Sequence, residues 1–309
     1  MNYGVRPSVI EVIGATPMVE LARLERGSGG KILVKLEYLN PGYSKKDRIA
    51  RQIIEDAESN GSLEPGQTVV ELTSGNTGTG LGIVCAVKGH PFVAVMSRGN
   101  SEERARMMRA LGAEVVLVEQ TARSQMGQVS GEDLELVEQE AQRITRERGA
   151  FRADQFRHAG NFRAHYLHTG PEIWGQTGGA FDVFCDFAGT GGTFAGCAAA
   201  FRERGAKVEC VLVEPSSEQH RIQGGGYGME LPMLERARPD AVVTVTDEEA
   251  VACARRLARE EGIFAGFSSG ANVAAALRLA QGKTVVTVIN DSGLKYLSTD
   301  LWEEEKLHG

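Results

Sequence analysis

Val69-Val70-Glu71-Leu72-Thr73-Ser74-Gly75-Asn76-Thr77-Gly78 passes from an apolar, β-rich run through a glycine- and hydroxyl-rich turn into a run of small residues that ends at Lys88. A strand feeding a helix through a tight loop is the unit from which parallel sheets are built. The unit recurs. Val183 to Ala188 leads into Gly189-Thr190-Gly191-Gly192-Thr193 and a helical run to Arg204. Phe264-Ala265-Gly266-Phe267 leads into Ser268-Ser269-Gly270 and a helical run to Ala280. Further apolar runs at residues 32–36, 92–96, 115–118, 208–213, 242–245 and 284–289 read as strands, with helical patterns between them. The alternation predicts an α/β fold with mainly parallel sheets. Residues 120–132 are polar and unpatterned and read as a surface loop. No repeat of fixed period and no low-complexity segment is present.

Each of the three loops sets backbone N–H groups and hydroxyls at a helix N-terminus, where an anion is favoured. In open α/β sheets ligands gather at the carboxyl ends of the strands. Three such loops imply one site that recognises a phosphate and carboxylates. A dinucleotide site is one alternative: Gly189-Thr190-Gly191-Gly192-Thr193 loosely suggests it, with Glu214 about where a ribose-binding acid would sit, although the spacing departs from G-x-G-x-x-G. The glycines also suit tight strand-to-helix turns with no ligand at all. No G-x-x-x-x-G-K-[ST] run exists, so a P-loop is excluded.

Upstream lies Asn40-Pro41-Gly42-Tyr43-Ser44-Lys45-Lys46-Asp47-Arg48. Asn-Pro-Gly is turn chemistry, Ser44 is a good N-cap, and Asp47 three residues later resembles a capping box. The helix that follows carries its apolar residues at Ile49, Ala50, Ile53, Ile54 and Ala57, and counting back by three and four reaches Lys46. Lys45 shares the other face with Arg48, Gln52, Glu55 and Asp56. The periodicity therefore predicts Lys45 toward water and Lys46 inward, at the positive end of a helix. Lost solvation and the helix dipole would lower its pKa, which suits Schiff-base chemistry. A lysine snorkelling at a helix end is the alternative.

The chain has 309 residues, 42% of them hydrophobic, enough for two domains or one large one. A net charge of -7 argues against nucleic acid and anionic membrane as partners. The first residues lack a basic-then-apolar leader pattern and no apolar run reaches bilayer length, so the expectation is a cytoplasmic protein. Cys85, Cys185, Cys197, Cys210 and Cys253 form no C-x-x-C pair and read as buried thiols in a reducing compartment. His165, His168 and Glu172 imitate metal-ligand spacing, but Gly170-Pro171 is expected to interrupt their helix, so no metal is expected.

These motifs, in their order and separations, resemble the cysteine synthase and cystathionine β-synthase family, pyridoxal-phosphate enzymes of fold type II. Asn40-Pro41-Gly42-x-Ser44-x-Lys46-Asp47-Arg48, Thr73-Ser74-Gly75-Asn76-Thr77-Gly78, Gly189-Thr190-Gly191-Gly192-Thr193 and Ser268-Ser269-Gly270-Ala271 carry the resemblance. Gly14-x-Thr16-Pro17, Thr169-Gly170-Pro171-Glu172-Ile173-Trp174 and Asp291-Ser292-Gly293-x-x-Tyr296-Leu297 support it over nearly the whole chain. Asp154-Gln155-Phe156, Ala164-His165-Tyr166 and Gly226-Tyr227 look more like the cystathionine β-synthase side.

The resemblance implies two open, twisted, mainly parallel sheets flanked by helices, as in the tryptophan synthase β-like fold. Residues 1–40 and 150–309 would form a large cofactor-binding domain and residues 41–149 a small mobile one. Lys46 would hold pyridoxal 5'-phosphate as an imine and later move the Cα proton. Asn76 would bond the cofactor's 3′ oxygen, Gly189, Thr190, Gly191, Gly192 and Thr193 would cradle its phosphate, and Ser268 would face its pyridine nitrogen. Thr73, Ser74, Gly75, Thr77 and Gln155 would bind the substrate carboxylate. Tyr227 would act as a gate near the incoming nucleophile, or pack as an ordinary loop aromatic. The implied activity is β-replacement on O-acetylserine, O-phosphoserine or serine through an aminoacrylate, with sulfide or a thiol as nucleophile. Cysteine β-elimination, cystathionine β-synthase-like activity and a non-catalytic binding protein on the same fold are the alternatives. A homodimer is implied as well.

Overall fold

The computed structural model describes residues 4–24, 27, 29–122, 124, 129–226, 228 and 230–303. Along the chain, strands and helices run β1 (Met18–Glu20), β2 (Lys31–Leu36), α1 (Lys46–Ser59), β3 (Val69–Leu72), α2 (Asn76–Lys88), β4 (Phe92–Ser97), α3 (Glu102–Ala110), β5 (Glu114–Val118), α4 (Gly131–Arg148) and β6 (Phe151–Arg152). Then follow α5 (Ala159–Ala164), a π-turn (His165–Thr169), α6 (Gly170–Thr177), β7 (Val183–Phe187), α7 (Gly192–Glu203), β8 (Glu209–Pro215), β9 (Ala241–Val245), α8 (Asp247–Glu261), α9 (Phe267–Leu279) and β10 (Thr284–Ile289). The six-stranded sheet has the order β1-β2-β10-β7-β8-β9 and the four-stranded sheet β5-β4-β3-β6. Every pairing is parallel except β1 with β2. The fold is thus α/β with mainly parallel sheets, as the alternation predicted, and two of them, as the resemblance implied.

Parallel strands covered on both faces read as continuous apolar runs, and β3, β4 and β7 are buried at every position. Their side chains still divide by a period of two. Val183, Cys185 and Phe187 pack with Leu257, Ala271 and Ala275 of α8 and α9, while Phe184 meets Phe194 and Phe201 of α7. In the smaller sheet Val69, Ala94 and Met96 face α1 to α3, and Val70, Val93 and Val95 face Val137, Ala141 and Ile144 of α4.

Some expectations fail locally. The run at residues 264–267 forms only an isolated bridge, Ala265 with Ser292, because Phe267 already belongs to α9. β1 and β6 had too few residues for a pattern. The smaller sheet takes in β6 just beyond residue 149. Gly170 and Pro171 do not break the chain's helix: α5, the π-turn and α6 follow one another directly, with Pro171 in the first turn of α6, just past the π-turn that absorbs the change of register. All five cysteines are free and buried. No described helix is long and apolar enough to cross a membrane.

Candidate active site

The site forms where the carboxyl ends of β2, β10 and β7 meet the carboxyl end of β3. α1 starts at Lys46, which is buried. Two strands of loop hold that start in place. Lys45 N–H donates to the Asn290 carbonyl (2.9 Å) and Ser292 N–H to the Tyr43 carbonyl (3.1 Å), so the turn before α1 is stitched to the loop after β10. The Ser44 hydroxyl accepts from Lys46 N–H (3.2 Å). Asp47 does not complete a capping box; its carboxylate turns back to accept the Gly42 N–H.

Lys46 Nζ has no hydrogen bond or ion pair among the described residues. Burial, then the charge of Lys45, lowers its pKa to about 7, while Asp186 and Asp291 pull the other way. The inward reading of Lys46 holds. That of Lys45 does not: Lys45 is buried, and its ammonium donates to both carboxylate oxygens of Asp186 (2.9 and 2.8 Å). Arg48 is buried too, bonded to Glu37 (2.6 and 2.8 Å) and Glu172 (2.8 and 2.7 Å). Helical periodicity assigns charges to water, and it fails where they are neutralised inside.

The glycine loop between β7 and α7 lies against Lys46. A Cβ on Gly189 would stand 3.6 Å from Lys46 Nζ and 2.6 Å from the Gly224 carbonyl. Gly191 has a left-handed backbone (φ 78°), and a Cβ on Gly192 would fall 1.9 Å from Asn161 Oδ1. Only glycine leaves this backbone open to a ligand. Asn161 fixes the loop by donating to Thr190 Oγ1 (2.7 Å) and to the Gln155 carbonyl (2.6 Å). Thr193 Oγ1 is 3.1 Å from His165 Nε2, and Thr169 Oγ1 is 2.9 Å from the other ring nitrogen. Burial and nearby cations hold the His165 pKa well below its usual value. His165 thus faces Thr193, while Glu172 faces Arg48 and Lys35. Among the described residues no cluster of three or more His, Cys, Asp or Glu is placed to hold a metal ion.

The loop after β3 is shaped by Thr73, whose hydroxyl accepts from the N–H groups of Gly75 and Gly78 (both 2.9 Å). Gly75 has φ 125°, and a Cβ there would lie 2.4 Å from Arg104 Cδ. Arg104, fully buried, donates to the Ser74 carbonyl (2.7 Å) and sits 4.6 Å from the Tyr296 ring centre. Thr77 Oγ1 donates to Gln155 Oε1 (2.6 Å), and Gln155 Nε2 donates to the Leu72 carbonyl (2.8 Å). Asn76 gives an N–H to Asp291 (2.7 Å) and accepts from Lys295 Nζ (2.7 Å), which also reaches the Gly42 carbonyl (2.7 Å). Ser268 Oγ, in the first turn of α9, accepts from Asn290 Nδ2 (3.1 Å). The structure therefore brings Lys46, Asn76, Thr77, Gln155, the glycine loop and Ser268 to one cleft. Tyr227 lies outside the described residues.

Sequence reasoning turned Lys45 to water and passed over Arg104, Asn161, Asp186 and Lys295. Of these, Lys45 and Lys295 had a signal, since each lies inside a quoted motif, Asn40–Arg48 and Asp291–Tyr296.

A buried amine with no partner among the described residues, against a glycine cradle, is the donor set a phosphate-bearing aldehyde needs. Residues 9–291 match the family model described as pyridoxal-phosphate dependent enzyme. The chain belongs to that family. A cysteine synthase of Staphylococcus aureus (strain Mu50 / ATCC 700699) is 39% identical to it, over 96% of each chain. O-Ureido-L-serine synthase superposes with a TM-score of 0.89 at 37% identity, over 98% of each chain. O-Acetyl serine sulfhydrylase isoform 3 of Entamoeba histolytica gives a TM-score of 0.90 at 33% identity, over 100% of this chain and 95% of the other. Both the fold and the pyridoxal-phosphate chemistry of this family member follow from these matches.

Proposed function

We propose that this pyridoxal-phosphate enzyme carries out β-replacement on a serine-type amino acid, O-acetylserine, O-phosphoserine or serine, with sulfide or a thiol as the nucleophile and cysteine or a thioether amino acid as product. The observation that carries the reading is the near-neutral Lys46 amine against the Gly189 loop, unpartnered among the described residues, in a chain similar to cysteine synthases. Bound at Lys46, the cofactor supplies an electron sink at the substrate Cα. Lys46 Nζ, once released, takes the Cα proton as the β-substituent leaves and returns it to Cα after the nucleophile adds at Cβ. A lysine held near neutrality suits both transfers.

The remaining residues hold and orient. Residues 189–193 offer backbone N–H groups to the phosphate at the start of α7. Asn76 has one amide N–H engaged by Asp291 and one left for the cofactor's 3′ oxygen. Asn290 donates to Ser268 Oγ, so the Ser268 hydroxyl keeps its own proton for the pyridine nitrogen. A hydroxyl there, unlike a carboxylate, would not hold the ring protonated, so the group would serve as a milder electron sink. Thr73, Ser74, Gly75 and Thr77, with Gln155, face the substrate carboxylate at the start of α2. Residues 41–149 close over it and exclude water. The protein works as a homodimer in the cytoplasm.

The test is direct. The purified protein is expected to be yellow, borohydride is expected to fix the cofactor on Lys46, and Lys46→Ala is expected to abolish turnover. Each donor is then titrated separately and assayed with sulfide. Formation of cysteine from one of them supports the reading. Release of sulfide from cysteine, with no product from any serine-type donor, would replace it with β-elimination.

A further inference from the structure

We propose that the buried Lys45–Asp186 ion pair is a positioning device for the Lys46 amine: it ties the start of α1 to the strand that carries the glycine loop and sets the balance of charge that the amine meets. The proposal rests on Lys46 as the reactive lysine.

The geometry has three parts. Lys45 is the residue immediately before α1, and it is fastened at both ends: its N–H to the Asn290 carbonyl (2.9 Å) and its ammonium to both oxygens of Asp186 (2.9 and 2.8 Å). Asp186 lies in β7, whose end opens into the glycine loop, so the bridge runs beside the Gly189 contact with Lys46. Asp186 is itself held. Asn272 of α9 donates to it (3.1 Å) and to the Val288 carbonyl (2.8 Å), and accepts from the Phe187 N–H (2.6 Å). One strut thus connects α1, β7, α9 and β10.

A buried ion pair is a poor device for stability alone, because desolvation offsets most of its attraction and an apolar pair of equal volume often does as well. This one sits where its charges matter. Among the described residues, the groups that act on Lys46 are Lys45 on its own segment, Asp186 from β7, Asp291 from the loop after β10, and His165, kept neutral by burial, from the π-turn. After burial, Lys45 is the largest influence that lowers the Lys46 pKa, and Asp186 opposes it. Removing one member of the pair therefore leaves the other uncompensated, and the two removals act in opposite directions. A purely structural pair gives no such signature.

The experiment uses full-length protein freed of pyridoxal phosphate. Competitive labelling with acetic anhydride, read by peptide mass spectrometry, gives the pH midpoint of the Lys46 amine. Lys45→Gln is expected to raise that midpoint and Asp186→Asn to lower it, each by about one pH unit or more. Lys45→Arg, which keeps the charge, is expected to leave it in place. Circular dichroism and melting curves confirm the fold. If a single variant fails to fold, the charge-free pair Lys45→Met with Asp186→Leu stands in, with a midpoint between the parent value and that of Lys45→Gln or, where that variant is the one lost, within about half a unit of the parent. Shifts of the same sign in both single variants, no shift in a folded variant, or a double-variant midpoint outside those limits overturns the proposal. Failure of the underlying reading looks different: borohydride then traps no cofactor at Lys46, while the titration shifts persist.

Discussion

A side-chain amide held at both ends has one orientation, and Asn76 is such a residue. Lys295 gives it a proton on the oxygen side and Asp291 takes one on the nitrogen side. Burial lowers the Lys295 pKa to about 8, with Asp291 and Asp47 opposing. Lys295→Met is expected to free Asn76 and speed cofactor release on the order of ten-fold, the loss of about one charged hydrogen bond; stopped-flow release kinetics measure it. Gly75→Ala is expected to destabilise the protein by about 2 kcal/mol or more, since φ 125° is foreign to alanine and the methyl meets the Arg104 stem; urea unfolding reads this. At this scale the sequence was half legible. Counting by three and four found Lys46 because its neighbours are apolar. The same count misassigned Lys45 and Arg48, because their partners, Asp186, Glu37 and Glu172, come from distant parts of the chain and leave no local trace.

Helices and strands were the more legible level. Every strand read from a sustained apolar run forms: β3, β4 and β7, buried on both faces, need only hydrophobic residues in sequence, and the more exposed β5 and β9 keep β-branched runs. The failures are short or ambiguous: β1 and β6 are too brief for a period, and residues 264–267 are claimed by the first turn of α9. The polar stretch at residues 120–132 hid a helix start. α4 opens with a capping box in which Ser130 Oγ accepts from Asp133 N–H (3.1 Å) and the Asp133 carboxylate accepts from Ser130 N–H (2.9 Å). Ser130→Ala is expected to cost about 1 kcal/mol with turnover unchanged, since α4 packs on the face of the smaller sheet away from α1. Chemical denaturation beside an activity assay checks both halves of that statement.

Across the whole molecule, one buried charge network joins the two sheets' supports: Lys35 of β2 to Glu172 of α6 (2.7 Å), Glu172 to Arg48 of α1, and Arg48 to Glu37. Bonds from Arg48 and the charge of Lys35 outweigh burial and hold the Glu172 pKa at about 2, below its usual 4.5. The unfolded chain then binds more protons between those values, so this stabilisation is complete above about pH 4.5 and is lost as the pH falls toward 2. Glu172→Gln is expected to cost about 3 kcal/mol at pH 7 by leaving Arg48 and Lys35 short of a counter-charge, and to flatten the acid limb of stability. Unfolding curves across that range test both. The strand order carries a further consequence. β2 pairs along its length with β10, so residues 31–36 wait for residues 284–289, whereas the smaller sheet is complete by Arg152. On a ribosome the smaller sheet emerges and settles first. The larger one closes only once residues 284–289 are out, and with it the wall that seats Lys46. A product truncated before β10 therefore has an apolar β2 edge and no finished pocket, and nascent chains gain the ability to capture their aldehyde only after residues 284–289 have been made.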